Sequence, residues 1–345
     1  MKSSKGITTE MKNSQKERLI HALASQFNTV HEIFQAFDRA SAPSLAKASW
    51  DDVVKAGDHL SKQATIFGML WTGEDPDHKT VQESMEAFFN ALQTLLLLAH
   101  GSLVDAGLTL SSNIHNSVKQ IVDSSFKFIT ESVSSYGSHD ISIKNNIPQL
   151  VGAVWEACSS LKKTPSTNIT AIGRELTKIA VSVKDVLREM QELKMEDNPN
   201  ETDENAVDRG EEDEEFGNDL SSDEMKVVQT AVGVVSEVIM FIKELIRTIS
   251  GSVKQENTPQ NGRFVDSLEN LLTFCRELGE QTDELGACLY PPQEASTMAV
   301  SLTKISRIVM EISQIITSLE SSSDIPPVLD RLRSSVKSME FELNR

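Results

Sequence analysis

The sequence predicts an all-α protein: two antiparallel helical bundles joined by a disordered acidic linker. Three observations predict it. Long stretches repeat apolar residues at steps of three and four, the spacing of one buried helix stripe. No stretch of useful length alternates with period two, as a half-buried strand would. One tract, Glu192 to Glu224, holds fifteen acidic residues against two basic ones, Lys194 and Arg209, so about −13 of the chain's formal −18 sits there. A block of like charge with few apolar residues cannot bury enough surface to offset its ordering entropy. The expected plan is a flexible N-terminus at 1–13, an N-terminal bundle at 14–192, the linker at 193–221 and a C-terminal bundle at 222–345.

The first helix is expected from Ser14, with a stripe through Leu19, Leu23, Phe27, Val30, Phe34 and Phe37 and a stop at Ala42-Pro43. Ser49 is placed to cap a second helix, with Asp51 and Asp52 at the positive end of its dipole. Val53, Leu60, Ala64, Phe67 and Leu70 form its stripe, and Gly73 to Asp77 is a turn by composition. A third helix carries Val81, Met85, Phe88, Leu92, Leu95 and Ala99, with Gly101 as its stop. Ser111 or Ser112 starts a fourth, through Ile114, Val118, Ile121, Phe128 and Ile129. Pro148 is expected in the first turn of a short fifth helix with Val151, Val154, Trp155 and Cys158, broken by Thr164-Pro165. The sixth runs from Asn168 to Met190 through Ile172, Leu176, Ile179, Val183 and Val186, and can pack with either bundle.

Beyond the linker, Asp223 to Val253 is a regular helix through Val228, Val235, Ile239, Ile242 and Ile249. It would be roughly 45 Å long at 1.5 Å per residue. Gly251 and Pro259 mark its end. Phe264, Leu268, Leu271, Leu272, Cys275 and Leu278 build the next helix, which ends at Pro291-Pro292. Met298, Leu302, Ile305, Val309, Ile312 and Ile316 line another. Ile325-Pro326-Pro327 is expected as a hinge before Val328, Leu332, Val336 and Met339. Short connections make consecutive helices antiparallel neighbours.

Composition bounds the function. A chain of 345 residues suggests two domains. At 5% aromatic residues, Leu, Ile, Val and Ala are expected to do the packing. Outside the acidic tract the net charge is only about −5, which weighs against direct binding of nucleic acid. Cys158, Cys275 and Cys288 are odd in number, widely spaced and without a Cys-x-x-Cys pair, which favours a reducing, intracellular setting. The longest apolar run, Leu95 to Ala99, is far short of the roughly 20 residues that span a bilayer. A soluble protein of cytoplasm and nucleus, without membrane contact, is expected.

No phosphate-binding glycine motif is present. His31-Glu32 resembles the start of a zinc-protease helix but lacks the second histidine, and all seven histidines are dispersed, so solvated side chains outweigh a metal site. The cysteines sit near apolar stripes and show no paired base. No catalytic residue, cofactor site or metal site is assigned, and the chain is read as non-enzymatic. Two serines, Ser221 and Ser321, have an acidic residue three positions on (Glu224 and Asp324), a context acidophilic kinases accept. Both are candidate phosphorylation sites, although Ser221 is equally the natural N-cap of the helix that follows. Arg174-Glu-Leu176 and Arg276-Glu-Leu278 match a minimal cyclin-docking pattern, but both leucines fall on core stripes.

Two stretches carry a family resemblance. The first is Trp155-Glu-Ala-Cys158 followed by Pro165, Leu176-Thr-Lys178, Val183-Lys-Asp185 and Glu189-Met190; the second is Ala287-Cys-Leu-Tyr-Pro-Pro292 followed by Ser301-Leu-Thr-Lys304. Their order, and the acidic tract between them, resemble the cyclin-D-binding protein 1 family of helix-loop-helix proteins. The resemblance implies an all-helical protein of nucleus and cytoplasm that restrains cell-cycle progression. It would do so by binding D-type cyclins and helix-loop-helix transcription factors, without enzyme activity. No basic region adjoins any helix, so such a protein could sequester a DNA-binding partner without touching DNA. The competing reading is a vinculin- or talin-like bundle adaptor for cytoskeletal partners, since architecture alone cannot choose between them. Oligomeric state is left open.

Overall fold

The computed structural model describes residues 2–35, 37, 46–73, 76–137, 141–193, 220–251, 261–318 and 325–345. The described residues form α1 (Lys2–Gln35), α2 (Trp50–Met69), α3 (His78–Ser102), α4 (Leu108–Ser135), α5 (Ile141–Ser160), α6 (Asn168–Gln191), α7 (Ser222–Gly251), α8 (Asn261–Ala287), α9 (Ala295–Ser318) and α10 (Ile325–Leu343). They make an all-α protein of two antiparallel helical bundles. The chain divides into compact units at Met1–Thr167 and Asn168–Arg345.

In the first unit α1 packs on α3 and α4, α3 on α2, α2 on α5 and α5 on α4, closing a ring of five helices around one core. Ser49 caps α2 as its position suggests: its hydroxyl accepts from the Asp52 amide at 3.2 Å and donates to the Asp52 carboxylate at 2.7 Å. The predicted stripes are largely buried, and most of this core is aliphatic, as the scarcity of aromatics suggests: Leu19, Val53, Leu60, Leu92, Leu95, Ile114, Val118 and Ile121 are at most 1% exposed. Phe67, Phe88, Phe89 and Phe128 are fully buried, and Phe128 stands edge-on to Phe67 and Phe88 at 5.6 and 5.8 Å. Most of the chain's few rings are concentrated in this half, where each edge-to-face pair adds about 0.5–1.5 kcal/mol beyond its burial.

In the second unit α7 packs on α6 and α10, α6 on α8, α8 on α9 and α9 on α10. This ring also has five helices, and its core is mainly aliphatic, with Val234, Val235, Val238, Ile242 and Leu245 of α7 at its centre. By length and composition α7 could cross a membrane. Its apolar residues are instead packed in the bundle, which accounts for its hydropathy.

Several expectations shift. The flexible segment expected at 1–13 belongs to α1 from Lys2 onward. The sixth helix, grouped with the first bundle in the 14–192 plan, packs in the second: Ile169, Ile172, Leu176, Val183 and Met190 share its core. Pro148 lies inside α5 rather than in its first turn, because the helix begins at Ile141. Ile325-Pro326-Pro327 is no hinge but the first turn of α10, where a proline's missing N–H costs nothing. At the linker's edges, Leu220 is buried and Leu193 packs on the same core, so 194–219 is the part outside the described residues.

Candidate protein-interaction site

Three surfaces stand out, two of them built on residues that the sequence singles out. The first is the contact between α5 and α2. Trp155 Nε1 donates to the Ser61 carbonyl at 3.2 Å and to Thr65 Oγ1 at 3.1 Å, so the indole is held in one orientation while its residue stays 47% exposed. One turn on, Cys158 is buried, and burial pushes its thiol up to about 11. Burial likewise pushes Cys275 to about 12 and raises Cys288. Thiols held protonated are poor nucleophiles, in keeping with cysteine as core filler. The Trp155–Cys158 motif is therefore a clasp between two helices with an exposed aromatic edge.

The second surface is the start of α7. Ser221 and Glu224 form a reciprocal capping box. The Ser221 amide and hydroxyl donate to the Glu224 carboxylate at 2.9 and 2.7 Å, and the Glu224 amide donates to Ser221 Oγ at 3.3 Å. The two donations from Ser221 hold the Glu224 carboxyl below its ordinary value. The turn after α8 docks beside this cap: Gln293 Nε2 donates to the carbonyls of Glu224 and Leu289, both at 3.2 Å, and the Glu294 amide to the Cys288 carbonyl at 3.2 Å. The Tyr290-Pro-Pro stretch thus lies in the turn that braces α7, with Tyr290 exposed. Ser221 is exposed, as a kinase site requires, but already engaged. Ser321 lies outside the described residues.

The third is a groove of about 730 Å³ in the second unit, lined by Ile169, Thr170, Gly173, Arg174, Thr177, Lys178 and Val181 of α6 and Ile246 and Ser250 of α7. The α6 positions recur at three and four, so one face of that helix forms a wall. Sequence reasoning missed this face because its apolar residues are few; the signal was Gly173, Thr177 and Val181 at steps of four on a helix otherwise assigned to the core.

The Arg-x-Leu matches do not form docking motifs, since Leu176 and Leu278 are fully buried. The histidines are less uniformly solvated than expected. His21, His31 and His59 are exposed, but His100 and His115 are half-buried. The His115 ring packs on Phe34 at 4.9 Å and the His100 ring on Phe37 at 5.4 Å. Among the described residues no cluster of His, Cys, Asp and Glu has a metal-holding arrangement.

Comparison with known proteins places these features. The family model described as Grap2 and cyclin-D-interacting, N-terminal, matches residues 52–196, and its C-terminal counterpart matches residues 195–314. The cyclin-D1-binding protein 1 homolog of Xenopus laevis is 20% identical over 270 residues, which cover 76% of this chain and 78% of that protein. The family halves meet at 195–196, within the acidic tract, whereas the compact units divide at Thr167–Asn168.

Proposed function

Because this chain belongs to the Grap2 and cyclin-D-interacting family, we propose that it is a negative regulator of cell-cycle progression. In this reading it binds D-type cyclins or helix-loop-helix transcription factors and acts in both cytoplasm and nucleus. Family membership carries the reading and supports a protein-interaction role directly. The physics of the chain supports the mode. No basic region adjoins any helix, so the sequence offers a captured transcription factor no cationic anchor to a phosphate backbone. The partner contact is made helix to helix, an apolar stripe laid into a groove between bundle helices. Ser221 is the control point we assign. A phosphate there would sit beside the Glu224 carboxylate, now 2.7 Å from the hydroxyl, and like charge would break the capping box.

The test is capture of purified D-type cyclin and of a helix-loop-helix domain by the full-length chain. Retention of either supports the proposal. Recovery of actin-linked proteins alone, with neither candidate retained, overturns it in favour of a cytoskeletal adaptor. For Ser221, incubation with an acidophilic kinase and mass spectrometry of 219–224 decides: an unmodified segment sinks the regulatory assignment.

A further inference from the structure

We propose that the groove between α6 and the C-terminal third of α7 binds an amphipathic helix whose apolar stripe is flanked by acidic residues. The inference rests on the partner-binding reading above and adds the chemistry of the partner.

The floor of the groove is apolar even where the residues are not. The Thr177 hydroxyl donates to the Gly173 carbonyl at 2.7 Å, and the Ser250 hydroxyl to the Ile246 carbonyl at 2.7 Å. Both hydroxyls are satisfied within their own helices and ask nothing of a ligand. Val181 is 54% exposed on the same wall. A Cβ added at Gly173 would meet no heavy atom within 4 Å, so the space above that backbone is open and a second helix can approach closely. From Ile169 to Val181 the wall runs about 18 Å, some three turns of a partner helix.

The margins are cationic. Arg174 and Lys178 stand one turn apart along the α6 wall. Lys243 and Arg247 share the α7 face that carries Ile246 and Ser250. The acids beside them, Glu175 and Glu244, face Lys178 at 2.6 Å and Arg247 at 3.6 Å. The Lys178 side chain is 66% exposed, and an exposed pair holds its partners weakly, so a ligand carboxylate can share that ammonium. The chain's overall −18 does not decide the matter. Fields from distant exposed charges are screened beyond about 8 Å at physiological salt, which leaves the rim cations in control of the groove.

The test titrates the full-length protein with two labelled synthetic helices of roughly 18 residues, both with a leucine stripe, one flanked by glutamate and one by lysine, read by anisotropy at physiological salt. The glutamate helix should bind, and Gly173→Leu should weaken it at least about tenfold while circular dichroism stays unchanged. Arg174→Glu with Lys178→Glu should do the same and shift preference to the lysine helix. Preference of the wild type for the lysine helix, insensitivity to both variants, or a dimer by light scattering that Gly173→Leu dissolves would each overturn the proposal. Capture of D-type cyclin separates the two readings. Undiminished capture by Gly173→Leu sinks the groove assignment alone, and glutamate-helix binding without any cyclin or helix-loop-helix capture sinks the family-based partner alone.

Discussion

At the start of α7 the side chains of Ser221 and Glu224 each accept the other's backbone amide. The capping box satisfies donors that the first turn of α7 would otherwise leave to water. Ser221→Ala should therefore lower stability by about 1 kcal/mol, read as a shift in denaturant midpoint without a change in m-value. The pH dependence has a definite sign. Glu224 is held below its ordinary 4.5, so its contribution is present above that value and is lost as pH falls through the lower folded value. Amide exchange in the first turn of α7, followed downward from pH 6, should show protection fading only below 4.5 in the wild type, and no such step in Glu224→Gln. This cap was legible in the sequence, since Ser-x-x-Glu before an apolar run is a helix-start pattern. What the sequence could not show is that the Tyr290 turn reaches the same spot through Gln293.

The helix α6 shows what element-scale reading gains and loses. Its stripe was legible from Asn168 to Met190, because periodicity reports which face is buried. Periodicity does not report what lies against that face, so its partner bundle was open. The missing information sits on α8, in two glycines seven residues apart. A Cβ at Gly279 would come within 3.2 Å of Ile179, and one at Gly286 within 2.8 Å of Val186. The close approach of α6 to α8 depends on these bare positions. Gly286→Val should push the helices apart and cost about 1–3 kcal/mol, measured as a lower midpoint for the second unit alone. The Pro148 and Pro326 misreadings have different causes: α5 begins at Ile141 and runs through Pro148, whereas Pro326 stands in the first turn of α10, where no amide donor is needed.

Both compact units close five helices into a ring. In each, counting along the unit, the first helix touches the third, the second touches the third and fifth, the third touches the fourth, and the fourth touches the fifth, but the first helix closes the ring on the fourth in one unit and on the second in the other. These shared contacts were invisible in the sequence because no fixed repeat length marks them. They also set where the chain can be divided. The fragment 168–345 should fold alone with a cooperative transition. The fragment 222–345 should not, because it lacks Ile172, Leu176 and Val183 and leaves their partners on α7 and α8 bare. Circular dichroism and denaturant titration of the two fragments check this directly.

Leu193 and Leu220, at either end of the acidic tract, belong to one core. A protease site engineered near residue 207 would thus open the backbone without parting the pieces. After cleavage, two bands on a denaturing gel should still elute as a single species from a sizing column. They should come apart only when the second ring itself melts.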